Sequence, residues 1–187
     1  GVLAGLGFML PGLLLITPAR HGDERGFFSE TFRADALAEA GFARPFVQDN
    51  HSRSPRRGTV RGLHFQRPAQ PQDKLVRVPR GAVLDVAVDL RAGSPTYGRA
   101  YATELSETNW RQLLVPVGFA HGFQTLTDDV EVLYKVSGYY ALEHEGGLRW
   151  NDPALGIDWP IPAGEALVNA RDAAWPTLDQ LGPVFRR

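Results

Sequence analysis

No cysteine occurs among the 187 residues, which excludes disulfides, thiolate metal sites and a cysteine nucleophile. An excess of either charge is missing as well: 20 Lys and Arg against 21 Asp and Glu leave a formal net charge of -1. Nothing in that balance recommends nucleic acid or an anionic membrane as partner, so an anionic ligand must be held by local arginines. There is no Gly-rich phosphate loop and no dinucleotide fingerprint, so the phosphates of any nucleotide must be gripped by side chains. No composition break marks a linker, and the length suits one core, so residues 1–187 read as a single domain.

The uncharged run from Gly1 to Ile16 lacks the basic start of a signal peptide, is short for a membrane span and is broken by Pro11. Leu13 to Thr17 reads instead as the first core strand, with residues 1–12 as an extension ahead of it.

What is present points to strands. With 20 Gly and 14 Pro, turns are frequent. Leu84, Val86, Val88 and Leu90 alternate with Asp85, Ala87 and Asp89, the pattern of a half-buried antiparallel strand. Turn signals at 79–81, 92–95, 117–118 and 127–129 cut the middle of the chain into short strands at near-regular spacing. An all-β sandwich or barrel is expected. One short peripheral helix is expected over Asp35 to Ala40, closed by Gly41. The Pro-, Gly- and Trp-rich segment 151–187 is expected to wrap the sheets irregularly.

Strand parity asks which polar side chains share an interior. Val130, Val132, Tyr134 and Val136 lie on one face, so the Tyr134 phenol points inward with the valines. His121 shares a face with Phe119 and Phe123. His64 sits in Arg61-Gly62-Leu63-His64-Phe65-Gln66, an apolar strand with Lys74 ten residues on. A histidine, a tyrosine and a lysine in one small barrel would supply a base, an acid and a cation for a developing oxyanion, the set needed to move a proton beside a carbonyl. Arg61, inside the strand, fits bidentate recognition of phosphate or carboxylate, whereas Arg53, Arg56 and Arg57 read as a solvated loop. His51, His64 and His121 are the candidates for a three-histidine metal site. The absence of a His-x-His pair, and of a glutamate a few residues after His64, argues against it.

Seven segments taken in order carry a more specific message: 23–28 (Asp-Glu-Arg-Gly-Phe-Phe), 46–52, 61–66, 74–78, 118–123, 133–135 and 150–153. Together, from about Pro18 to Asp172, they resemble the dTDP-4-dehydrorhamnose 3,5-epimerase family. The resemblance implies a cupin-like antiparallel jelly roll with a few short helices. It implies a base at His64 oriented by Asp172, an acid at Tyr134 on the opposite face, and Lys74 beside the enolate of a 4-keto sugar. It further implies that Arg61 and Arg25 hold a pyrophosphate, that Gln48, Asn50 and Glu30 belong to the nucleotide and sugar pocket, and that His121 and Tyr140 line it. No metal or organic cofactor is implied. A homodimer that exchanges N-terminal strands is implied, with Arg25 and Glu30 serving the partner's site; independently of the resemblance, a cytoplasmic location is the default expectation. The alternatives are an epimerase of one carbon only, a metal-dependent cupin oxygenase or isomerase, and a sugar-nucleotide binder without catalysis.

Overall fold

A computed structural model describes residues 3–8 and 10–186. Its thirteen strands are β1 (Leu3–Phe8), β2 (Leu14–Pro18), β3 (Arg20–Asp23), β4 (Gly26–Ser29), β5 (Gln48–Ser54), β6 (Val60–Gln66), β7 (Lys74–Arg80), β8 (Ala82–Asp89), β9 (Ala100–Ser106), β10 (Gln112–Val115), β11 (Phe119–Thr125), β12 (Val130–Val136) and β13 (Glu145–Gly147). Helices are short: α1 (Ala34–Glu39), α2 (Ala170–Ala173) and α3 (Leu178–Leu181). Six strands form one sheet in the order β1-β2-β10-β7-β12-β5, and five form a second in the order β13-β6-β11-β8-β9. Every strand pair is antiparallel, as a jelly-roll sandwich requires. β3 and β4 form a separate hairpin.

The two sheets face each other across a shared core. Val76, Val78, Leu113, Val130 and Val132 come from the six-stranded sheet, and Val83, Ala87, Leu105, Phe119 and Phe123 from the other. This is the expected parity: alternate residues of each strand meet between the sheets. β2 begins within a residue of the expected first strand. The stretch expected as an extension instead supplies β1, paired with β2 of the same chain.

The half-buried reading of β8 is overturned, because both of its faces are buried. Val86, Val88 and Leu90 pack outside the sheet under Leu148, Trp150, Leu155 and Phe185, so the C-terminal segment supplies the cover. The apparently solvent-facing carboxylates are compensated inside the protein. Asp89 is bound by Arg91, Ser94 and Thr96. Burial works to raise its pKa, yet those bonds hold it at about 2. Asp85 is bound by His121. On the other side, α1 does more than decorate: Leu37 packs with Leu14, Ile16, Leu75 and Leu114 on the outer face of the six-stranded sheet. Among the described residues no helix is long and apolar enough to cross a membrane.

Candidate active site

β6 and β11 run side by side, and their register sets His64 directly opposite His121. Two glycines make that approach possible. A Cβ on Gly62, which has φ +120, would stand 2.8 Å from Gly122 Cα and 2.8 Å from the His121 carbonyl oxygen, contacts that no other residue tolerates. α2 then brings Asp172 under His64. Asn169 caps the helix by accepting the Asp172 N–H at 2.8 Å, a regular N-cap arrangement. Asp172 Oδ1 lies 2.6 Å from His64 Nε2.

Two further donors fix that carboxylate: the Gly62 N–H at 3.0 Å and the Trp175 indole N–H at 2.9 Å. Burial alone would raise the Asp172 pKa, but His64 and these N–H groups outweigh it and keep the acid below its ordinary value. The Asp172 side chain is 6% exposed and that of His64 33%. The orienting group is therefore sealed while the imidazole reaches open space, a cavity of about 200 Å³.

That cavity also receives Lys74, His121, Tyr134 and Arg61. Burial lowers the Lys74 pKa to about 8, against the opposing pull of Glu145 and Asp85. Burial raises that of Tyr134 and keeps the phenol protonated, while an Asn50 hydrogen bond acts the other way. His121 Nε2 is 2.8 Å from Asp85 Oδ1. Arg61 bonds Ser54 Oγ at 3.1 Å and the Arg53 carbonyl at 3.2 Å, which ties β6 to β5 across the mouth.

Gln48 and Tyr140 do not line the cavity but bond residues next to it. Gln48 donates to Asn50 Oδ1 at 2.9 Å and accepts the Tyr140 N–H at 3.2 Å. The Tyr140 phenol bonds Glu145, which raises its pKa, and Glu145 pairs with Arg171 at 3.0 Å. Gln48, Asn50 and Tyr140 thus reach this cavity only through their partners, and two further expected residues lie away from it. Arg25 lies at the tip of the β3–β4 hairpin, paired with Asp23 and 85% exposed. Glu30 follows the hairpin and pairs with Arg33. His51 is also elsewhere: it projects from the other face of β5 and binds Glu131 at 3.0 Å, so the three histidines considered for a metal are not gathered.

Several site members escaped the sequence reading: Ser52, Asp85, Glu145, Asn169, Arg171 and Trp175. Trp175 and Asn169 each stand three residues from Asp172, one helical turn, and that spacing could have flagged them. Glu145 opens a glycine strand with no alternation to read. Larger hollows exist, one of about 390 Å³ outside the six-stranded sheet and one of about 490 Å³ among prolines near Phe185. Neither gathers a base, an acid and a buried cation.

The family model described as dTDP-4-dehydrorhamnose 3,5-epimerase matches residues 8–180. The chain belongs to the dTDP-4-dehydrorhamnose 3,5-epimerase family. It is 50% identical to the dTDP-4-dehydrorhamnose 3,5-epimerase of Sinorhizobium fredii over 92% of this chain and 88% of the relative. The Salmonella typhimurium enzyme of the same name is 49% identical over 91% and 93%. Among solved structures, the Legionella pneumophila dTDP-6-deoxy-D-glucose-3,5-epimerase in complex with dTDP-4-keto-L-rhamnose superposes with a TM-score of 0.91 at 42% identity, covering 98% of this chain and 99% of that one. Membership makes the protein an isomerase, one of the epimerases that act on carbohydrates, and it assigns the sandwich to the cupin-like fold of that family.

Proposed function

We propose that the protein inverts C3 and C5 of a dTDP-4-keto-6-deoxyhexose in dTDP-L-rhamnose formation, with His64 as base and Tyr134 as acid. The observation that carries this reading is the shared cavity. A buried carboxylate holds one nitrogen of His64, and Tyr134 and Lys74 enter the same space from the opposite sheet.

The chemistry follows from those placements. With Nε2–H given to Asp172, the lone pair of His64 sits on Nδ1. That nitrogen takes the proton from a carbon next to the C4 ketone, and the C–H electron pair flows into the carbonyl to give an enolate. The Lys74 ammonium offsets the oxygen's charge in a water-poor site. Tyr134 gives its phenolic proton to the other face of the same carbon, which inverts it; His64 then releases its proton to solvent and Tyr134 regains one, restoring both groups for the second carbon. One enolate chemistry serves both carbons, because C3 and C5 flank the same ketone. No cofactor takes part in these steps.

The cavity is small beside typical ligand pockets of about 300–1,000 Å³. It would admit the sugar while the nucleotide lies across the open mouth, its pyrophosphate on Arg61. The exposed hairpin supports a homodimer. Phe27 and Phe28, on β4, are 57% and 72% exposed, and in a dimer with exchanged N-terminal segments Arg25 and Glu30 would complete the partner's nucleotide site. A nucleotide sugar as substrate argues for action in the cytoplasm.

Turnover in deuterated water tests the reaction. Deuterium should enter the product at both C3 and C5; none at either carbon rejects the reading, and label at C3 alone reduces it to a single-site epimerase. Elemental analysis of the active protein tests the cofactor-free chemistry.

A further inference from the structure

β5 alternates its side chains between the two faces of the six-stranded sheet, and nearly every polar one has a partner. Outward, Asp49 binds Lys135, His51 binds Glu131 and Arg53 binds Asp129. Inward, Gln48 donates to Asn50, Asn50 bonds the Tyr134 phenol, and Ser54 accepts from Arg61. Ser52 is the exception. Among the described residues, its Oγ and Asp85 Oδ2 are the buried side-chain polar atoms without a hydrogen-bond partner. Asp85 holds His121 through its other oxygen; the Ser52 hydroxyl holds nothing.

No protein group satisfies that hydroxyl, and alanine would fill an inward strand position without losing a bond within the chain. Ser52 also lines the cavity that contains His64, Lys74 and Tyr134. Along β5 it lies two residues from Asn50, which steadies the acid, and two from Ser54, which steadies the guanidinium at the mouth. Ser52 therefore lies along the strand between the residue beside the acid and the residue beside the guanidinium at the mouth.

We infer that Ser52 is a substrate-binding residue whose hydroxyl hydrogen-bonds an oxygen of the hexose, a sugar identified by the epimerase reading above. The bond forms only when a sugar enters. A hexose lacking an oxygen at that point is discriminated against, because it leaves the hydroxyl unpaired in a site from which it has displaced water.

Calorimetry with dTDP and with dTDP-glucose, on the wild type and on Ser52→Ala, tests this alongside thermal unfolding and kcat/KM for the keto sugar. Ser52→Ala should bind dTDP as before, lose roughly three- to tenfold of the extra affinity for dTDP-glucose, lose at least as much in kcat/KM, and melt no lower than the wild type. An unchanged sugar preference, an equal loss for dTDP alone, a wild type that gains nothing from the sugar, or a lower melting temperature would each overturn it. A smaller sugar preference in Ser52→Ala together with no turnover in the wild type would reject the epimerase reading and leave the sugar contact standing.

Discussion

Asp172 Oδ1 and His64 Nε2 are 2.6 Å apart, and the carboxylate is locked from two other sides by the Gly62 and Trp175 N–H groups. A carboxylate so held fixes both the tautomer and the angle of the ring. Asp172→Asn keeps the shape but offers one acceptor oxygen in place of two, and kcat should fall roughly a hundredfold while dTDP affinity stays level. The pH dependence of stability has a definite sign. The folded pKa of Asp172 is depressed, so its stabilising contribution is present above the unfolded value of about 3.9 and is lost as pH falls below that value through the folded one. Acid titration of unfolding should show the wild type losing its advantage over Asp172→Asn in that window.

Lys74 gives a slope of the same sign at the basic end of the pH range, since its folded pKa is also depressed. Burial brings its pKa to about 8, below the unfolded value of about 10.4, so between those values the unfolded chain binds the extra proton. The cost of burying the ammonium is full below about pH 8 and fades as pH rises through that interval. Activity should move the other way, declining above pH 8 as the cation is lost. Lys74→Met should remove the stability slope and lower kcat by about a hundredfold or more; a basic limb that survives in this variant would assign the titration to another group.

Tyr134→Phe separates abstraction from delivery. The phenol is held protonated by burial, so its loss should slow net inversion while His64 still exchanges the proton it removes. Mass spectrometry in deuterated water should find label in recovered substrate, with product formation reduced on the order of a hundredfold. Loss of exchange together with product would make Tyr134 part of the abstraction step.

The sandwich was legible because alternation survives wherever one face meets a core, as along Val130, Val132, Tyr134 and Val136. It misled along β8, where the cover comes from Trp150, Leu155 and Phe185. Those residues are separated from β8 by more than sixty positions, and no local pattern announces them. Site residues on strands were readable for the same reason: parity placed Tyr134 and His121 inside. The Asp172 pairing with His64 spans 108 positions and came only through family resemblance. Arg25 and Glu30, which the resemblance assigned to a partner's site, lie outside the cavity of their own chain.

Trp175 owes its place to a missing side chain. A Cβ on Gly147 would run into the indole ring, and the indole in turn donates to Asp172. Gly147→Ala should displace Trp175, cost about 1–3 kcal/mol in unfolding free energy, and lower kcat more than it raises KM, since the displaced group supports the base. A fall in stability with kcat intact would show that Asp172 holds His64 without the indole's help.

The exposed hairpin makes the sharpest test of assembly. If Arg25 serves the partner's cavity, Arg25→Ala fails for want of a phosphate contact and His64→Ala fails for want of a base, each in every site of its own homodimer. A mixed dimer is different: the chain keeping His64 receives Arg25 from the chain lacking it, so one of two sites is complete. Mixing the two inactive variants under conditions that exchange subunits should restore activity toward a quarter of the wild-type rate, as half the dimers are mixed and half their sites intact. If Arg25 acts within its own chain, the mixture stays inactive at every ratio, because each cavity then lacks one group or the other.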